Sequence, residues 1–293
     1  MTGASVSSLP SLPSVMDTAR WVALYRALES ERPDALFRDH LAGRLAGERG
    51  REISEAMPAS IRKNFWMLVV RTRLIDDLVT SSIAEGVDCV VNLAAGFDAR
   101  PYRLALPKDL TWVEADLPAV VEEKERLLAG EAPACKLVRE SVDLADAGAR
   151  ASFLDRALSS AGPPRRALVI TEGLLVYLDP EEVRTLGREL AGHRSVEGWI
   201  VEFPSPGLLR ILRRTANKRL GNSAQMKFGP EDGVGFFDAA GWVPREVHSV
   251  FREAVRLRRL PTTLRIFTSL FPEPNPKKLG RAPWSGVVRL VRK

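Results

Sequence analysis

The chain has 293 residues, of which 45% are hydrophobic and 27% charged, and a formal net charge of +6. That is the composition of an ordinary soluble globule, long enough for one large core. No apolar run reaches bilayer-spanning length, and two cysteines without metal-ligand spacing exclude a disulfide framework and a cysteine-based metal centre.

Residues 1–16 are rich in Ser and Pro and precede the first basic residue, Arg20. They are expected to be disordered, with no secretory or transit signal, which points to the cytoplasm. Residues 17–85 read as a helical cap of the same domain, with helices over Ala19 to Leu28, Ala35 to Ala46 and Ile61 to Ile83. Pro33 and Pro58 mark the breaks. Residues 86–204 then alternate strand and helix patterns. The strands fall at Val87 to Leu93, Thr111 to Asp116, Lys136 to Val142, Ala167 to Thr171 and Trp199 to Phe203. Asp179-Pro180-Glu181-Glu182 is a clean helix start, with Asp at the cap and Pro in the first turn. Residues 205–228 interrupt the alternation. Pro230 to Ala240 reads as a helix ended by Gly241, and Trp242 to Val250 and Gly286 to Val291 read as two more strands. The core domain thus runs over residues 86–293.

The most informative run follows the first strand. Ala94, Ala95 and Gly96 remove side-chain bulk where a nucleotide-like ligand approaches the backbone of a doubly wound α/β sheet. Asp116 lies twenty residues after Gly96, at the tip of the second strand, where a carboxylate accepts both ribose hydroxyls. Asp143-Leu144 follows the third strand and Glu172 the fourth. In a parallel sheet these tips share one edge. A helix cap explains any one of these acids, whereas a shared adenosyl site explains all of them together.

The ordered set Arg71-Thr72-Arg73-Leu74, Val91-Asn92-Leu93-Ala94-Ala95-Gly96-Phe97-Asp98-Ala99-Arg100-Pro101-Tyr102-Arg103, Trp112 to Pro118, Val142 to Asp146 and Thr171 to Leu178 is distinctive. It resembles the leucine carboxyl methyltransferase-like family, especially its bacterial branch of S-adenosyl-L-methionine-dependent methyltransferases. The resemblance implies a Rossmann-like α/β fold of class I, with a seven-stranded, mostly parallel sheet. It also implies S-adenosyl-L-methionine as cofactor and roles for particular residues. Arg71 would pair with the methionyl carboxylate, and Gly96 would admit the backbone to the methionyl group. Asp116 would hold the ribose, Asp143 and Leu144 the adenine, and Glu172 the cationic end. Tyr177 is a substrate-pocket residue or a core aromatic. The residues alone favour an ion pair of Arg71 with Asp76 or Asp77. The family often has Gly-Ala-Gly where this chain has Ala94-Ala95-Gly96, a mild change if the backbone angle at Ala94 is negative.

A sulfonium methyl donor needs alignment and dryness more than acid–base help. With no histidine at a strand tip, the expected acceptor is a carboxylate or acidic hydroxyl of a small molecule, for instance a secondary metabolite, acidic or carrier-bound. A protein C-terminal carboxylate, a nicotinamide-dependent oxidoreductase and a non-catalytic adenosyl-binding protein are the rivals. Neither nucleic acid nor a membrane is an expected partner, and the oligomeric state is not legible. Residues 208–227 hold six basic residues and no acid, and residues 251–293 hold eleven basic residues and two acids. Without interleaved aromatics these tracts do not read as a nucleic-acid surface. Residues 205–228 are expected to form a helical lid. Leu208, Leu209, Ile211 and Leu212 would face the pocket, and Arg210, Arg213 and Arg214 would attract an acidic acceptor. A plain surface helix fits the same pattern.

Overall fold

The computed structural model describes residues 14–57, 59–62, 65–159, 165–216, 225–260, 265 and 272–293. A seven-stranded sheet runs in the order β3-β2-β1-β4-β5-β7-β6. The strands are β1 (Cys89–Leu93), β2 (Thr111–Asp116), β3 (Lys136–Ser141), β4 (Ala167–Thr171), β5 (Val196–Pro204), β6 (Trp242–Ser249) and β7 (Ser285–Arg292). The first five are parallel, and β7 lies antiparallel between β5 and β6. β1 and β4 are buried along their whole length, which is why they read as continuous apolar runs rather than alternating ones.

Helices α1 (Val15–Ser30), α2 (Ala42–Ala56), α3 (Ala59–Arg62) and α4 (Trp66–Ala84) precede the sheet. α5 (Arg100–Arg103), α6 (Pro118–Leu127), α7 (Ala147–Leu158), α8 (Pro180–Gly192), α9 (Pro206–Ala216) and α10 (Val250–Arg256) connect its strands. One core face packs Phe153, Leu186, Trp199, Phe203 and Trp242 beneath α7 and α8. The other packs Trp66, Val70, Leu74 and Leu78 of α4 on Val90, Trp112 and Ile170. Among the described residues no helix is long and apolar enough to cross a membrane.

Several boundaries depart from expectation: α4 starts at Trp66, apart from α3, where one helix is expected from Ile61, and three other departures have a clear physical cause. α1 begins at Val15, inside the stretch expected to be disordered, because Ser14 and Asp17 form a reciprocal capping box. Residues 1–13 lie outside the described residues. Ala35 to Leu41 is not helical: Glu29 accepts from the Leu36 amide, Ser30 from the Asp39 amide, and Asp39 holds Arg26. Side-chain bonds thus replace the helical backbone ladder, which resumes in α2. The expected helix from Pro230 is a 3-10 helix, Gly233–Ala240, closed as expected by Gly241 at φ 88°.

Candidate functional site

The carboxyl ends of β1, β2 and β4 and the loop after β3 wall a cavity of about 600 Å³, a volume typical of small-molecule sites. β1 gives way to a turn in which Ala94 has φ 54° and Gly96 φ 49°. The amide of Gly96 donates to Asp116 Oδ2 at 2.7 Å, and that of Leu117 to Asp116 Oδ1 at 2.8 Å. Burial pushes the Asp116 carboxyl above its ordinary value, with the two amides pulling the other way. Asp143 is exposed at the rim and accepts from the Ala145 amide at 3.0 Å, and Leu144 lines the wall beside it. Both aspartates therefore make the backbone bonds of a cap and also line the cavity.

The opposite end is ionic. Arg71, reaching up from α4, donates from Nε to Glu172 Oε1 at 3.0 Å and from Nη1 to Glu202 Oε1 at 2.9 Å. Arg100 bonds Glu172 at 2.7 Å, Asp76 at 2.7 Å and Asp98 at 2.8 Å. Asp76 in turn accepts two bonds from Arg103, each at 2.7 Å. Burial raises the Glu172 carboxyl, but the charges of Arg100 and Arg71 outweigh it and hold the group below its ordinary value. Asp98 is likewise lowered: burial opposes, and Arg100, Lys124, Arg103 and Arg26 prevail. Glu202 goes the other way, raised by burial and by Glu172 against the pull of Arg71. Asn92, also in the wall, donates to Asp98 at 2.9 Å, and its buried Oδ1 has no hydrogen-bond partner. Tyr177 lines the cavity, and burial raises its phenol, so it stays protonated as a donor at neutral pH.

The roof is α1, which presents Val15, Thr18, Ala19, Val22 and Arg26 to the cavity at helical spacing. Arg26 donates to the Phe97 carbonyl and pairs with Asp39, and Arg20 pairs with Glu123 of α6. A Cβ on Gly96 would sit 3.5 Å from that of Ala19, so roof and turn pack closely.

Residues 19–191 match the leucine carboxyl methyltransferase family. A Streptomyces coelicolor protein named as a candidate S-adenosyl-L-methionine-dependent methyltransferase is 35% identical over 278 residues, covering 90% of this chain and 94% of that protein. The chain belongs to the leucine carboxyl methyltransferase family. A Frankia alni protein named for the same activity is 32% identical, covering 83% of this chain and 86% of its own. In fold alone the chain is similar to a DUF574 family protein from Streptomyces avermitilis, with a TM-score of 0.59 and 12% identity, covering 94% of this chain and 97% of the other. It is thus an S-adenosyl-L-methionine-dependent methyltransferase with a class I fold.

In this methyltransferase Arg71, Gly96, Asp116, Asp143, Leu144, Glu172 and Tyr177 all line one cavity. Neither carboxylate considered for Arg71 is its partner: Asp77 binds Arg73, and Asp76 binds Arg100 and Arg103. The angle at Ala94 is positive, so the Gly-to-Ala change there is a strained one. No described residue of 205–228 lines the cavity, and α1 holds the place expected of the lid. Leu208 and Leu209 are buried below α9, and Arg213 is spent on the carbonyls of Met226 and Lys227. Residues 217–224 lie outside the described residues. The exposed acids of the wall are Asp143, Glu181 and Glu182. Sequence reasoning missed Arg26, Asn92, Asp98, Arg100 and Glu202. The available signals were the Asp98-Ala99-Arg100 pair directly after a small-residue turn, and an acid interrupting the apolar strand Trp199 to Phe203.

Proposed function

We propose that this chain transfers a methyl group to the oxygen of a carboxylate or acidic hydroxyl on a small molecule with an apolar body, such as a secondary metabolite. The observation that carries the reading is that Tyr177 lines the cavity together with an apolar wall of Val15, Ala19, Val22, Leu174, Leu178 and Leu186. A protonated phenol is a donor suited to an anionic oxygen, and the wall accepts the apolar remainder of the acceptor.

The residues present fit S-adenosyl-L-methionine, whose sulfonium supplies an activated methyl group when bound. In this reading Asp116 accepts the ribose hydroxyls with the lone pairs that Gly96 and Leu117 leave unused. Asp143 and Leu144 flank the adenine. Arg71 meets the methionyl carboxylate, and Gly96 lets the backbone approach the chain that carries it. Glu172 faces positive charge, and the orphaned Oδ1 of Asn92 accepts from an ammonium donor. Tyr177 orients the acceptor oxygen, while α1 and the apolar wall exclude water from an in-line displacement. An ionised carboxylate needs no base, in keeping with a cavity wall that contains no histidine among the described residues.

The test is incubation with methyl-labelled S-adenosyl-L-methionine and cell extract, followed by separation of organic-soluble and protein fractions. Label in the organic fraction is expected. Release of that label as methanol by mild base identifies an ester, and retention identifies an ether. Label confined to protein would replace this reading with methylation of a protein C-terminal carboxylate.

A further inference from the structure

Thr171 of β4 pairs with Val201 of β5, so the next residues lie side by side: Glu172 just past the end of β4, and Glu202 still within β5 and paired with Val287 of β7. Both grip Arg71. Its Nε and Nη2 go to Glu172 Oε1 at 3.0 and 2.9 Å, and its Nη1 to Glu202 Oε1 at 2.9 Å. A guanidinium has five N–H groups, and the hydrogen bonds from Nε and Nη1 leave N–H groups on the terminal nitrogens for a further carboxylate. Glu202 Oε1 also accepts from the Gly173 amide at 3.1 Å, where Gly173 turns the chain at φ 70° immediately after Glu172. Glu202 itself does not line the cavity. Among the described residues its one cationic partner is Arg71, whereas Glu172 is also held by Arg100.

We propose that Glu202 is a positioning residue for the amino-acid end of the cofactor, fixing both the rotation of the Arg71 guanidinium and the Glu172–Gly173 turn. The proposal rests on the reading that Arg71 meets the methionyl carboxylate. Without the charge of Glu202, Arg71 swings wholly onto Glu172 and its remaining N–H groups turn away from the cavity. The groups that face Glu202 are Arg71 from α4, Glu172 and the Gly173 amide from the end of β4, and Tyr177 from the following turn. Burial and Glu172 hold Glu202 above the ordinary glutamate value, against Arg71. It therefore takes up a proton as pH falls through that raised value, and its hold on Arg71 weakens.

Glu202→Gln tests this, because the amide oxygen still accepts from Gly173 while the charge is gone. Calorimetry would measure the affinity for S-adenosyl-L-methionine and for adenosine, which lacks the methionyl group, from neutral to mildly acidic pH. The variant should bind S-adenosyl-L-methionine about tenfold more weakly, the scale of one charge-assisted hydrogen bond. Its adenosine affinity should stay near that of the parent, and its melting temperature should hold or rise. In the parent protein, the preference for S-adenosyl-L-methionine over adenosine should shrink as pH falls; in the variant it should be flat. Taking the ratio removes any titration of Asp116, which both ligands share. Parent-like affinity and pH profile in Glu202→Gln would overturn the proposal. Arg71→Met separates the two levels. If it weakens S-adenosyl-L-methionine alone while Glu202→Gln does not, only the role of Glu202 falls. If neither variant changes affinity, the reading of Arg71 falls too.

Discussion

Replacing Ala94 by glycine should stabilise the ligand-free protein, an unusual result for a residue in a cofactor-binding turn. Ala94 has φ 54°, in the region where an L side chain crowds its own backbone, at a cost of about 1–2 kcal/mol. The methyl group is half-exposed toward the cavity, so removing it sacrifices little packing. Against the relief stands the extra freedom glycine gives the unfolded chain, about 0.4–1 kcal/mol. The balance favours Ala94→Gly by about 0.5–1 kcal/mol, a rise of about 1–3 °C in melting temperature for a chain of this size. Arg258, the other described non-glycine residue with positive φ, also at 54°, supplies a control in a turn away from the cavity. Differential scanning calorimetry of the parent, Ala94→Gly, Ala94→Val and Arg258→Gly decides the matter. The valine variant should be clearly destabilised, since a β-branched residue tolerates this conformation poorly. A lower melting temperature in Ala94→Gly, with a gain in Arg258→Gly, would refute the reasoning and show that the Ala94 methyl makes a contact worth more than its strain.

Asp116→Ala should weaken S-adenosyl-L-methionine binding by about 1–3 kcal/mol, measured by calorimetry, because ligand hydroxyls lose their acceptor; parent-like affinity would remove Asp116 from the site. Arg100→Met, which strips the buried Asp76 and Asp98 and the part-buried Glu172 of their shared cation, should cost about 3–5 kcal/mol in denaturant unfolding. Val22→Trp should fill the space under the roof and abolish methyl transfer to the acceptor while sparing cofactor affinity; loss of both would place α1 over the cofactor instead. Stability should respond to acid in two stages. The raised carboxyls of Asp116 and Glu202 oppose folding when ionised, and that opposition lifts as pH falls through their raised values. The lowered carboxyls of Glu172 and Asp98 contribute stability above the ordinary carboxylate range and lose it as pH falls through their lowered values. Melting temperature should thus hold or rise on mild acidification and drop only in stronger acid, and a steep fall from neutrality would contradict these assignments.

The sheet was legible because each parallel strand is a local signal. β2 and β4 coincide with their expected bounds, and β5 extends beyond its apolar stretch by three residues at the start and one at the end. An all-apolar run bounded by turn residues needs no knowledge of its neighbours to be recognised. The helical cap was harder. Ala35 to Leu41 has helix-compatible residues, but Arg26 and Ser30 reach across from α1 and claim Asp39 and its amide. Those partners lie nine to thirteen residues away, beyond any helical period, so no periodicity registers them. α9 shows the reverse error: its pattern is amphipathic as expected, yet amphipathicity says only that one face is buried and not what it is buried against.

The candidate site divides along the same line. Gly96, Asp116, Asp143, Leu144 and Glu172 follow strand ends, and parallel topology alone brings strand ends to one edge. The ionic cluster is different in kind. Arg71 meets Glu172 and Glu202 across separations of 101 and 131 residues, and Arg26 meets Phe97 across 71. A lone Arg in an amphipathic helix and a lone Glu in a buried strand are each unremarkable until the sheet order sets β5 beside β4 and lays α4 across them. A buried acid in a central strand is nevertheless a physical demand, since an ionised carboxylate taken out of water needs a cation or a proton. Glu202 in the run Trp199-Ile200-Val201-Glu202-Phe203 therefore announced a partner without naming it. The fold supplies Arg71, and with it the link between this strand acid and the arginine expected to face the cofactor.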